Sequence, residues 1–267
     1  MEYLIKFLDL FKGTMDTPKS FGGFHIACLL LTFGTILYLY KKRKIFKEKQ
    51  LKQILAVYAF GSLILEIIKQ LIWSYEIASD GIVVWDYQWY AFPFQLCTTP
   101  MIVSIICLFL KKGKLRNTLF SYMSFVTILG SIAVAIIPTD CFVSDVWINI
   151  HAMWLHLGSL VVSIYLIMSE EVEVNIDNLK HGLITFVSLA LLANTLNIVI
   201  YNSGILNGET FNMFYISPYF TSSLPVFNTI QQNVPYLVFL FSYFLAISLG
   251  ATIIYLILKL ITKKRLS

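Results

Sequence analysis

The chain has 267 residues, of which 58% are hydrophobic and only 13% charged, with a mean hydropathy of +0.75. A soluble domain carries roughly 45–50% apolar and about 25% charged residues, so this composition excludes a soluble enzyme and any large extramembrane catalytic module. The net charge of +5 takes its meaning from where the basic residues lie, because membrane proteins gather Lys and Arg in cytoplasmic loops.

Residues 1–20 hold one short apolar stretch broken by Lys6, Asp9 and Lys12, which predicts an interfacial helix on the outer surface and not a cleaved signal peptide. Apolar runs long enough to cross a bilayer follow at 22–40, 51–74, 91–110, 117–137, 146–168, 181–201 and 235–258. They predict an all-α, polytopic, single domain of seven transmembrane helices over 1–267. The runs do not alternate, and lipid offers no partner to open strand edges, so a barrel is excluded. Lys41, Lys42, Arg43, Lys44, Lys47, Lys49 and Lys52 follow the first span, and Lys111, Lys112, Lys114 and Arg116 follow the third. Lys180 follows the fifth, and Lys259, Lys263, Lys264 and Arg265 lie at the end of the seventh. This alternation predicts a multi-pass protein of the cell membrane with the N-terminus outside and the C-terminus in the cytoplasm. It also assigns the basic run at 41–52 to topology and anionic headgroups, with no nucleic acid as partner.

The outer connections before the third and seventh spans carry many aromatics and almost no basic residues. Trp73, Trp85, Trp89, Tyr87, Tyr90, Tyr215 and Tyr219 read as an aromatic belt, or alternatively as a lip through which lipid enters. The four cysteines have no spacing that suggests zinc or a redox pair. Cys28, Cys97 and Cys107 are expected within helices and Cys141 in a short outer loop.

Ionisable and amide side chains inside a span are costly and become functional candidates by default. They are His25 in the first span, Glu66, Lys69 and Gln70 in the second, Gln95 with Cys97 in the third, Asn149, His151 and His156 in the fifth, and Asn194 and Asn197 in the sixth. With the predicted orientation all of them fall in the outer half of the bilayer, while the inner half is apolar apart from hydroxyls. Glu66, Lys69 and Gln70 lie at i, i+3 and i+4, one helical face, with Glu66 and Lys69 in the favourable order for a local pair. Asn149, His156, Ser159 and Ser163 form one stripe, from which His151 is turned by about 140°. That separation argues against a shared metal, and neither a metal nor another cofactor is expected. Pro100 cannot donate to the carbonyl of Leu96, so the third helix is predicted to kink or loosen around Cys97. A thiol there, with a histidine at similar depth and amide donors nearby, contains the parts for an acyl-thioester intermediate.

Six short motifs carry a resemblance: FGGFHI before the first span, EIIKQ in the second, FPFQLC opening the third, HAMWLH in the fifth, LANTLN in the sixth and GETFNMFYISP in the loop after it. Through them nearly the whole chain resembles the YwaF-like family of bacterial integral membrane proteins, relatives of a eukaryotic transmembrane ether-phospholipid acyltransferase. The resemblance implies a seven-helix acyltransferase with phospholipid substrates, Cys97 as nucleophile and His156 as its base. It further implies Gln95 and Asn197 as oxyanion or headgroup donors and Glu66 and Lys69 as groups that fix the base or the lipid phosphate. Gln70, His151 and Asn194 stand beside them, and His25 lines the entrance. The chain departs from the expected pattern before the last span, where QQNVPY has one proline and no tryptophan.

Two other classes stand beside this reading. One is a transporter or proton-coupled channel using Glu66, Lys69, His151 and His156 as a relay, against which the apolar inner half argues. The other is a non-catalytic scaffold in which the polar level only joins helices.

Overall fold

The structure is a computed structural model that describes residues 2–11, 13–79 and 81–263. Lys12, Lys264 and Arg265, which entered the charge argument, lie outside them. The protein is an all-α polytopic membrane protein. Helix α1 (Glu2–Asp9) precedes α2 (Gly23–Lys42) and α3 (Glu48–Ser74). A small antiparallel hairpin, β1 (Tyr75–Ile77) with β2 (Val83–Trp85), follows, pairing Tyr75 with Trp85 and Ile77 with Val83. Then come α4 (Thr99–Phe109), α5 (Lys114–Tyr122), α6 (Ile128–Ile136), α7 (Val146–Met168), α8 (Ile176–Asn202), the short α9 (Pro225–Asn233) and α10 (Tyr236–Lys263). Helices α5 and α6 are one rod joined by a π-helical turn, Met123–Thr127.

Six helices, of 20 to 27 residues, are long and apolar enough to cross a membrane, and α4 takes the seventh place with 11 residues. This corrects the predicted span at 91–110. Residues 92–98 are irregular, and the helix starts at Thr99 with Pro100 in its first turn, where the missing N–H costs nothing. Pro100 therefore begins a helix instead of kinking one, and Cys97 lies before it, outside the helix that was expected to contain it. The predicted loop before the last span also gains structure, with a tight turn at Met213–Tyr215 and helix α9.

Helix α7 is the most buried of the long helices and packs on α2, α3, α6 and the π turn. It meets α3 through two reciprocal fits. A Cβ on Gly61 would lie 2.6 Å from the Trp154 ring, and one on Gly158 would lie 2.8 Å from the Tyr58 ring. Only glycine lets the two backbones approach so closely, as small residues do in membrane interfaces generally. Between α2, α3 and α7 runs an apolar groove of about 660 Å³, lined by Phe24, Val57, Tyr58, Met153, Leu157 and Gly158 among others.

Candidate functional site

The segment that leads into α4 has little regular structure of its own, so its backbone groups are held by side chains from α3 and from the loop after α8. From α3, Lys69 Nζ (3.1 Å) and Gln70 Nε2 (2.7 Å) both donate to the carbonyl of Ala91. From the loop after α8, the carboxylate of Glu209 accepts the N–H of Trp89 at 2.8 Å. Gln95 reaches the same loop, donating to the carbonyl of Asn212 (3.0 Å) and accepting from the N–H of Phe214 (2.9 Å). Thr98 and Thr99 return their hydroxyls to the carbonyls of Gln95 and Leu96, which tightens the turn around Cys97.

Behind this segment lies a buried ion cluster. Glu66 Oε1 meets Lys69 Nζ at 2.7 Å and Gln70 Nε2 at 2.8 Å, and its other oxygen meets His151 Nε2 at 2.9 Å. The i, i+3 pairing expected from the sequence is present, and His151 joins it from α7. Lys69 is enclosed by Glu66, the Ala91 carbonyl and, 5.3 Å away, the face of Trp73. Burying Glu66, Lys69 and His151 is tolerable because both carboxylate oxygens are occupied.

Cys97 is half-buried and its thiol is free. Two residues on, the Thr99 hydroxyl bonds the Tyr122 hydroxyl. Among the described residues nothing accepts a hydrogen bond from the backbone N–H of Leu96, one residue before the thiol. An unpartnered amide beside a thiol is a donor that an oxyanion can use. His156, on the opposite side of α7 from the Glu66 contact, is half-buried and neither ring nitrogen makes a hydrogen bond among the described residues. No hydrogen bond joins Cys97 to either histidine in this state; catalytic contacts are often loose before substrate binds.

The remaining sequence-predicted residues are brought to the same end of the bundle in supporting positions. Asn197 clamps Met213 by both its N–H (2.7 Å) and its carbonyl (3.0 Å), so its amide, like that of Gln95, is engaged by the loop. Asn194 Oδ1 lies 2.7 Å from the Tyr236 hydroxyl, which also sits 2.8 Å from the carbonyl of Ile216. Asn149 closes on both backbone groups of Val143, securing the turn before α7. His25 is fully buried, accepts the N–H of Phe21 at 3.0 Å and packs on Phe142, so it caps α2 and does not line an entrance.

The loop after α8 is where sequence reasoning was thinnest. Phe214 and Tyr215 both have φ of 59°, a strained left-handed pair that persists because Gln95 and Asn197 fix the residues around it. Phe211, Met213, Phe214 and Ile216 are fully buried, and Phe94 stacks on Phe214 at 5.8 Å. The signal was present in GETFNMFYISP, whose Glu209 and Asn212 were left without roles. Tyr58 and Ser62 precede Glu66 at spacings of eight and four and so share its face of α3.

Among the described residues no group of three His, Cys, Asp or Glu side chains could hold a metal ion. Comparison with curated proteins gave no match, and comparison with solved structures gave none. A family comparison did match, over residues 20–258, which takes in six of the seven apolar helices whole, most of α10 and every residue of the site; the chain belongs to the TMEM164 family.

Proposed function

We propose that the protein moves a fatty acyl chain between membrane phospholipids, or to another membrane acceptor, through a thioester on Cys97. His156 takes the thiol proton, the thiolate adds to the ester carbonyl, and the lysolipid alkoxide leaves with that proton. The acceptor hydroxyl then attacks the thioester, giving its proton to His156 and restoring the thiol. The observation that carries this reading is the local geometry of Cys97. It is a free thiol in the irregular turn before α4, and in the same turn the backbone N–H of Leu96 has no acceptor among the described residues and can receive an oxyanion.

Two further features support it. The Glu66, Lys69, Gln70 and His151 cluster anchors Ala91 and so holds the segment that carries the thiol; these four residues position the nucleophile. The apolar groove on α2, α3 and α7 has the size and lining for an acyl chain. Family membership agrees with the acyltransferase resemblance. In the orientation argued from the basic residues, the reaction takes place in the outer half of the membrane.

The test is acyl transfer in proteoliposomes, from a labelled donor phospholipid to a lysophospholipid. Wild type should transfer the label, while Cys97→Ala should not. Transfer by Cys97→Ala at the wild-type rate would remove the thioester from the mechanism.

A further inference from the structure

The groove between α2, α3 and α7 follows one stripe of α2. Phe24, Cys28, Leu31, Thr35 and Tyr38 line it at alternating spacings of four and three, the repeat that keeps side chains on one helical face. From Phe24 to Tyr38 this is about 21 Å of helix. One leaflet supplies about 15 Å of the hydrocarbon core, so the groove crosses more than one leaflet's share. Its walls are open to the side: Leu31, Tyr38 and Val57 are all more than half exposed, which lets a chain enter from the surrounding lipid.

At one end the groove meets the basic loop. The next position on the stripe is Lys42, four residues after Tyr38 and the last residue of α2. On the facing wall Gln53 of α3 lines the groove, and Lys49 stands one turn before it. Phe46, in the turn between the helices, packs edge-on against Tyr38 with ring centroids 6.4 Å apart and holds the loop at this end. The charge there is uncompensated. Residues 41–52 hold seven basic side chains and one acidic, Glu48, which is committed to Arg116 through both oxygens and to Lys112. Arg43 is folded back on Tyr40, 3.8 Å from the ring centre and bonded to its carbonyl. Lys42 and Lys49 are exposed and form no ion pair among the described residues.

We propose that the groove binds an anionic phospholipid from the leaflet that faces the basic loop, with the phosphate between Lys42 and Lys49 and one acyl chain laid along the stripe towards Thr35 and Leu31. In the orientation argued from the basic residues this is the cytoplasmic leaflet. An apolar groove alone takes any lipid chain. The unpaired lysines at its end select a headgroup of net negative charge, since a zwitterionic one brings its own cation to the same place. A chain of one leaflet's length leaves the end near Phe24 and Met153 open, so this site does not rest on the acyl-cysteine reading and does not compete with it.

The experiment incubates the full chain, purified in detergent, with equimolar phosphatidylglycerol and phosphatidylcholine of identical acyl chains. Native mass spectrometry then measures the lipid retained. Wild type should keep one phosphatidylglycerol in preference to phosphatidylcholine. Lys42→Ala with Lys49→Ala should weaken phosphatidylglycerol retention by about 25-fold, about fivefold for each lysine, and leave phosphatidylcholine unchanged. Lys41→Ala with Lys44→Ala removes the same charge away from the stripe and should keep the preference. Thr35→Trp fills the groove and should lower retention of both lipids with the lysines intact. Retention without preference in wild type, or equal losses from the two lysine pairs, overturns the site in favour of diffuse attraction by the loop. Unaltered retention by Thr35→Trp overturns the seat of the chain. Cys97 enters none of these readouts, so their failure leaves the thioester standing, and the absence of an acyl adduct leaves this site standing.

Discussion

Two ion clusters sit at opposite ends of α3, and they do different work. At its start, Arg116 is bound by both oxygens of Glu48 and by Glu171 at 3.2 Å, with Lys112 adding contacts to the same two glutamates. Every charge there meets another charge, and the result is a bolt joining α3, α5 and the turn before α8. Near the other end, Glu66 and Lys69 also pair, but Lys69 and Gln70 then turn to the carbonyl of Ala91. A cluster that closes on itself secures helices; one that reaches for an irregular backbone holds a segment whose shape matters, and that segment contains Cys97.

Four measurements break or sharpen this contrast. The largest effect is expected for His156→Ala, which should slow thioester formation by about 10²–10⁴-fold, the usual worth of a general base, without moving the thermal midpoint much. Next, Glu66→Ala leaves Lys69, whose side chain is 8% exposed, without its counter-charge and should cost about 3–5 kcal/mol in detergent unfolding. Arg116→Ala should cost less, about 2–3 kcal/mol, because the side chains of Glu48 and Glu171 are 37% and 20% exposed and water can take over part of their solvation. The two variants should part on a second readout: Glu66→Gln slows acylation of the folded protein, and Arg116→Ala leaves it unchanged. Equal effects on acylation would mean that both clusters only stabilise the fold. Smallest is Gly158→Ala, whose added Cβ meets the Tyr58 ring; it should cost about 1–3 kcal/mol and narrow the groove, so that acyl-protein carries shorter chains on average.

The fold was legible in the sequence where periodicity and hydrophobicity act alone. Six of the expected spans appear as long helices because lipid forces continuous apolar runs to be helical. Glu66 with Lys69 was legible for a similar reason, since i, i+3 neighbours on a helix meet whatever the tertiary structure. The start of α4 was misread because a proline inside an apolar run is compatible with a kink or with a first turn. What decides is whether side chains elsewhere, here Lys69, Gln70 and Glu209, can satisfy the backbone upstream. Gln95 and Asn197 were recognised as important, but their work is to hold the strained Phe214 and Tyr215 loop, a non-local fact with no local pattern.

The most direct test of the central claim is the intact mass of the protein after incubation with phospholipid vesicles, for wild type beside Cys97→Ala. A single acyl adduct on wild type, released by hydroxylamine and absent from Cys97→Ala, is the predicted result. An unmodified wild-type mass with every phospholipid tried, or an adduct that survives in Cys97→Ala, would contradict it.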